Sequence, residues 1–257
     1  MEFQHIILKK QDGVARLMLN KPPLNVLDIA MMREINDALE GLNGDPSIKV
    51  LLFEAVEGSK AFSAGVDVSE HTADKVNEMI EVFHRIFRLL DGLEIPTVAV
   101  VHGAALGGGC ELALFCDMVI ASEKASFGQP EIQVGVLPPI AVVALPEIIG
   151  PKKTMEMVLI GDRIRADEAE RLGLVNKVVA PEELQAAVDE FVNKLAKLSG
   201  AVLRLTKRAV RVGSVGSFED GLTAVETLYL GPLMNTEDAH EGLAAFMEKR
   251  PPLWKDR

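Results

Sequence analysis

Two glutamates and two glycine-bearing loops carry the chemistry this sequence can offer. Glu111 follows three consecutive glycines, Gly107 to Gly109, in the run V-H-G-A-A-L-G-G-G-C-E-L-A-L-F-C-D that ends at Asp117. Glycine has no Cβ, so a backbone N–H in such a run can meet a ligand at close range. If Cys110 to Phe115 opens a helix, those N–H groups lie at its positive end and favour negative charge. A second loop, S-A-G-V-D at Ser63 to Asp67, also follows a strand-like run. Two N–H donors aimed at one point form an oxyanion hole, and losing one typically costs ~3–4 kcal/mol of transition-state stabilisation.

The second glutamate, Glu131, stands in F-G-Q-P-E-I-Q-V-G between a proline and an apolar residue. A carboxyl in apolar surroundings has a raised pKa, which suits proton transfer near neutral pH. Glu111 has the same character, and neither has a lysine or arginine beside it in sequence. The combination points to chemistry on a carbonyl. Plain alternatives stay open: a glycine turn that only packs a helix on a strand, and glutamates that are satisfied structural residues.

Other constellations offer less. There is no H-E-x-x-H, C-x-x-C or P-loop lysine, and no metal site is expected. His5, His71, His84, His102 and His240 are scattered, and Ser63 lacks a G-x-S-x-G setting. His102 either touches the site or is a satisfied core histidine. Asp67 and Asp117 read as turn or capping residues.

The elements that must position these groups follow from periodicity. His5 to Lys10 and Val14 to Asn20 read as a hairpin around Q-D-G, and Asp28 as the cap of a helix to about Leu42. Lys49 to Ala55 is of strand length, Lys60 to Asp67 an irregular loop, and Asp74 to Leu90 an amphipathic helix. Pro96 opens the apolar run before the triple glycine; Asp117 to Ala121 and Ala125 to Phe127 read as further strands. Short strands alternating with helices over the first ~150 residues predict an α/β core with parallel strands. After Pro151 the pattern is helical, with one apolar break at Leu174 to Val179.

Composition narrows the function classes. The 257 residues are 48% hydrophobic, enough for a sizeable core, with mean hydropathy +0.19. A net charge of −11 and a pI of about 5.0 disfavour nucleic acid or an anionic membrane surface as partners. The densest basic segment, Arg204 to Arg211, reads as a solvated helix face. Cys110 and Cys116 give no disulfide framework, which fits a reducing compartment. No apolar run reaches the ~18 residues of a membrane span, and M-E-F-Q-H-I-I-L-K-K reads as a strand rather than a signal peptide. A cytoplasmic location is expected.

With these motifs in order, the sequence resembles the crotonase (enoyl-CoA hydratase/isomerase) superfamily. The likeness runs through K-P-P-L-N-V-L, A-F-S-A-G-V-D, I-P-T-V-A-V-V-H-G-A-A-L-G-G-G-C-E-L-A, F-G-Q-P-E-I, G-L-V-N-K-V-V and the C-terminal T-E-D-A-H-E-G-L-A-A-F-M-E-K-R. It implies a spiral of ββα repeats over residues 1–195 holding an acyl-CoA site, and a helical trimerisation region over 196–257. The assembly implied is a homotrimer or a dimer of trimers. Carried over, the N–H groups of Ala64 and Gly108 would hold the oxygen of an acyl-CoA thioester. Gly65, Val66, Asp67, Gly107, Leu137, Pro138 and Ile140 would contact the substrate, and Lys21, Lys60 and Lys249 or Arg250 its phosphates. Glu111 and Glu131 match the two glutamates of hydratases, with Glu111 as water-activating base and Glu131 as proton donor. Branches with other reactions commonly lack one or both, so keeping both favours hydration. No cofactor is implied, because coenzyme A is part of the substrate.

One departure concerns the substrate. Where hydratases usually carry P-G-x-G-G-x-x-R-L-P, this chain reads L-P-P-I-A-V-V-A-L-P, Leu137 to Pro146. Branched apolar residues there should reshape the acyl pocket, and the pattern looks like hydratases of anaerobic aromatic degradation acting on cyclohexa-1,5-diene-1-carbonyl-CoA. A straight-chain 2-enoyl-CoA hydratase of fatty-acid β-oxidation is the alternative. An enoyl-CoA isomerase or a non-catalytic RNA-binding member of the fold are further readings.

Overall fold

The computed structural model describes residues 3–257; Met1 and Glu2, at the head of the strand-like start, lie outside the described residues. The chain opens with a hairpin, β1 (Ile6–Gln11) antiparallel to β2 (Val14–Leu19), turned by Asp12 and Gly13, both at positive φ. α1 (Ile29–Leu42) then begins at Asp28, whose side chain accepts the Met31 N–H at 2.9 Å.

Three repeats of one unit follow, each a longer strand, a three-residue strand and a helix. They are β3 (Val50–Ala55), β4 (Ala61–Ser63) and α2 (Val76–Gly92); β5 (Thr97–Val101), β6 (Ala104–Leu106) and α3 (Gly108–Leu114); and β7 (Met118–Ser122), β8 (Ser126–Gly128) and α4 (Pro139–Ile149). The longer strands run parallel as β2-β3-β5-β7, and the short ones run parallel as β4-β6-β8 in a second sheet. The chain therefore winds as a spiral of ββα turns, an α/β fold. β4 lay hidden in a stretch read as a loop and β6 in the approach to the triple glycine, because three residues are too few to show a period of two.

The rest closes the spiral. α5 (Pro151–Ile160) leads to β9 (Arg163–Arg165), antiparallel to β8, and α6 (Ala166–Arg171) leads to β10 (Lys177–Val179), parallel to β7. α7 (Leu184–Ala196), α8 (Gly200–Gly213), α9 (Phe218–Leu228) and α10 (Glu237–Glu248) complete the chain.

The central strands are mostly apolar because both faces of the larger sheet are covered, and the buried Glu54 of β3 is paired with Arg16 at 2.7 Å. In β3, Leu51 and Phe53 face the main core while Val50 and Leu52 face a second cluster with Leu184, Val188 and Val192 of α7. β5 alternates the same way, with Ala99 and Val101 on one side and Val98 and Val100 on the other. α8 is fastened to this frame by Lys207, whose buried ammonium lies 2.6 Å from Asp117 and donates to the Ile95 carbonyl at 2.9 Å.

Candidate active site

β4 and β6 are parallel neighbours, so both chains leave the small sheet at the same edge. That alone brings the Ser63–Asp67 loop against Gly107 and Gly108. Gly65 has φ +101, and a Cβ there would lie 2.9 Å from the Leu106 carbonyl and 3.5 Å from the Gly108 nitrogen. Gly107 has φ +51 and begins α3. Both positions need a residue without a side chain, for conformation and for space.

α3 carries Glu111 inward, where it is 1% exposed. Its Oε1 accepts two backbone bonds of 2.8 Å from Ile140 and Ala141, in the first turn of α4. Glu131 comes from a 3-10 turn, Pro130–Val134, just after β8. Its carboxyl packs on Gly107, and its Oε2 is buried without a hydrogen-bond partner among the described residues. Burial pushes the Glu111 pKa up to about 8, with the Glu131 charge adding to the rise and the two backbone bonds opposing it. Burial likewise lifts Glu131 to about 7.

Both carboxyls open on one cavity of about 510 Å³. One wall is Ala64, Gly65 and Val66 with Val76, Met79, Ile80 and Phe83 of α2; the other runs from Pro130 to Pro139 and includes Val134, Val136, Leu137 and Pro138. It is a largely apolar pocket with a few polar groups, two of them carboxyls poised near neutrality. Such a pair can hold a water between them and move its protons.

Residues 9–257 match the model of the family described as Enoyl-CoA hydratase/isomerase. The chain belongs to that family. It is 37% identical over 255 residues to the crotonyl-CoA hydratase of Syntrophomonas wolfei, covering 97% of each protein. It is 36% identical over 250 residues to the cyclohexa-1,5-dienecarbonyl-CoA hydratase of Thauera aromatica, covering 97% of this chain and 96% of that one. The crystal structure of enoyl-CoA hydratase subunit I from Geobacillus kaustophilus superposes with a TM-score of 0.92 at 35% identity, over 100% of both chains. The protein is thus an enoyl-CoA hydratase-type lyase with the crotonase fold.

Several site residues expected for the hydratase sit elsewhere than expected. The Ala64 N–H is already spent, donating to the Leu24 carbonyl at 2.9 Å, and the Gly65 N–H goes to Ser63 Oγ at 3.2 Å. Val66 pairs with Leu27 as an isolated parallel bridge, in which Leu27 bonds Gly65 and Asp67. That register turns the Val66 N–H to the opposite side, where no protein acceptor takes it among the described residues. The Gly108 N–H, first in α3, has no partner inside its helix. Val66 and Gly108 adjoin: a methyl on Gly108 would lie 2.8 Å from Val66 Cγ2. The free pair is Val66 and Gly108, not Ala64 and Gly108.

Asp67 does not line the cavity; its carboxylate accepts the Ser69 N–H at 2.9 Å and caps a 3-10 turn, Val68–Glu70. Ile140 supports Glu111 through its N–H, and its side chain packs against the main core instead of lining the cavity. Of Leu137 to Ala144, only Leu137 to Pro139 face the cavity, while Val142 and Val143 are exposed elsewhere on α4. Lys21, Lys60 and Lys249, expected at the coenzyme's phosphates, are not among the residues lining this cavity. Lys21 is paired with Asp28, Lys249 ends α10 in a left-handed turn, and Arg250 is bound by Glu241 and Glu248. Sequence reasoning missed His71, Val76, Met79, Ile80 and Phe83 as lining residues. The α2 residues read as ordinary core because a cavity wall and a core face share the same 3.6-residue spacing.

Proposed function

We propose that this hydratase adds water to cyclohexa-1,5-diene-1-carbonyl-CoA, giving 6-hydroxycyclohex-1-ene-1-carbonyl-CoA. The supporting observation is the wall Val136 to Pro139, four consecutive residues without glycine that line the cavity close to both carboxyls. Branched and cyclic side chains there suit a compact ring better than an extended, flexible acyl chain. The crotonyl-CoA hydratase relative at 37% identity favours a straight-chain 2-enoyl-CoA as the second reading.

In the mechanism, the N–H groups of Val66 and Gly108 hold the thioester oxygen and draw electrons toward it. The β-carbon of the conjugated system becomes electrophilic. A water between the carboxyls attacks it, Glu111 accepts a proton from that water, and Glu131 returns one to the far end of the dienolate. Two carboxyls in one apolar cavity do not both ionise readily, so near neutral pH the pair holds one proton between them. One base and one acid are then present together; burial favours the shared proton on Glu111 at rest, so the step proceeds from the coupled form that carries it on Glu131. The reaction needs no redox partner or metal. The acidic net charge of −11 is consistent with a cytoplasmic protein that binds neither nucleic acid nor membrane.

Phe218 and Phe246, 83% and 85% exposed on the C-terminal helices, suit burial between copies in a homotrimer or dimer of trimers. Sedimentation equilibrium reads that state directly.

The substrate is tested by supplying the cyclic dienoyl-CoA and crotonyl-CoA side by side and following loss of conjugated thioester absorbance. A kcat/KM at least tenfold higher for the cyclic substrate is expected. A strong preference for crotonyl-CoA overturns the assignment, and a shifted alkene without incorporated solvent oxygen would mean isomerisation.

A further inference from the structure

Four side chains with polar atoms line the cavity: His71, Glu111, Glu131 and Gln133. The glutamates are assigned above, and Gln133 donates to the Gly161 carbonyl at 3.3 Å. His71 has no part in the mechanism. Its ring is anchored on one side only, with Nδ1 3.2 Å from the Asp67 carbonyl oxygen. A carbonyl oxygen can only accept, so Nδ1 carries the proton and Nε2 of the neutral ring carries a lone pair. Nε2 makes no hydrogen bond among the described residues.

The backbone of His71 is held as well. His71 closes the 3-10 turn Val68–Glu70, its N–H donating to the Val68 carbonyl at 3.1 Å, while Asp67 caps the start of the same turn. A turn rising ~2 Å per residue keeps His71 within roughly 10 Å of the Val66 N–H. The residues around it on that wall are Val68, Val76, Met79 and Ile80, an apolar surface matched to an acyl group rather than to the amide-bearing arm of coenzyme A. An acceptor set in such a wall is left unmatched by a hydrocarbon and matched by a hydroxyl.

We propose that His71 is a specificity-determining residue whose Nε2 accepts a hydrogen bond from a hydroxyl on the acyl moiety. This inference rests on the reading of the cavity as the acyl-CoA site. It gives the enzyme a preference for hydroxyacyl over deoxyacyl thioesters that the two glutamates do not supply alone.

The test is calorimetric binding of a hydroxyacyl-CoA and its deoxy counterpart, in both the cyclic and the linear series, to the wild type, His71→Leu and His71→Gln. Expected is a loss of about tenfold in affinity for the hydroxyacyl-CoA in His71→Leu, with the deoxy compound unchanged. His71→Gln, which keeps an acceptor, should recover part of that loss. Equal losses for both compounds would place the donor on the coenzyme arm and overturn the proposal, as would no loss for either. If neither compound binds the wild type, it is the assignment of the cavity that fails.

Discussion

The Glu131 carboxyl occupies the space that a side chain on Gly107 would need. The glycine that starts α3 and the glutamate after β8 are therefore one fitted unit, although 24 positions separate them in the chain. The close approach seats Glu131 at the base of the helix that bears Glu111. It also leaves Glu131 Oε2 buried without a hydrogen-bond partner among the described residues.

Gly107→Ala should break that fit twice, by forcing φ +51 on a residue with a Cβ and by displacing Glu131. Turnover is expected to fall at least tenfold and stability by roughly 1–3 kcal/mol. Steady-state kinetics and urea unfolding check the two effects separately.

Glu111→Gln and Glu131→Gln should each lower kcat by ~10²-fold or more, with a smaller change in KM, because each removes a proton-transfer group. The double variant should be little worse than either single, since the pair acts as a unit. Wild-type turnover should peak around neutral to mildly alkaline pH and fall on both sides, as the pair gains its second proton or loses its last. Near-normal turnover in both single variants would remove the acid–base assignment.

The raised carboxyls also set a stability slope. Glu111 titrates near 4.5 when unfolded and about 8 when folded, so the folded chain binds the proton more tightly. Its contribution is fully present below pH 4.5 and is lost as pH rises through about 8. Glu111→Gln keeps an oxygen for the Ile140 and Ala141 N–H groups but cannot ionise. Relative to the parent, it should gain roughly 2–4 kcal/mol between pH 5 and pH 8. Thermal melts at the two pH values give the difference, and a constant offset would count against the buried-charge account.

Lys207→Met should loosen α8 from the core. Asp117 would keep the Thr97 N–H and hydroxyl, at 2.7 and 2.9 Å, but lose its close cation at 2.6 Å. A loss of about 1 kcal/mol is expected in chemical denaturation, since the Asp117 left behind is solvent-exposed and keeps Arg211 at 3.6 Å. Asp117→Asn in the same background should recover part of it.

Much of the fold was legible in local pattern. The hairpin, the Asp28 cap, the central strands and nearly every helix have spacing long enough to show a period. β4 and β6 did not, and those two strands bring the glycine loops together. The glutamates were legible because an acidic residue among apolar neighbours is conspicuous in any reading. His71 was not, because a lone histidine four residues after an aspartate looks the same whether it faces solvent, core or cavity.

The sequence by itself determined the α/β alternation, the pair of carboxyls and the glycines where backbone must pass close to backbone. It could not say which N–H of S-A-G-V-D is free. Ala64 donates to Leu24 and Asp67 to Leu27, and successive N–H groups along an extended chain point to opposite sides, so Val66, beside Asp67, is turned away and left free. Nor could it raise the pKa of Glu111 to about 8, since that shift comes from burial by residues distant in the chain. Residue types set which chemistry was available; packing set which atoms are left free to perform it.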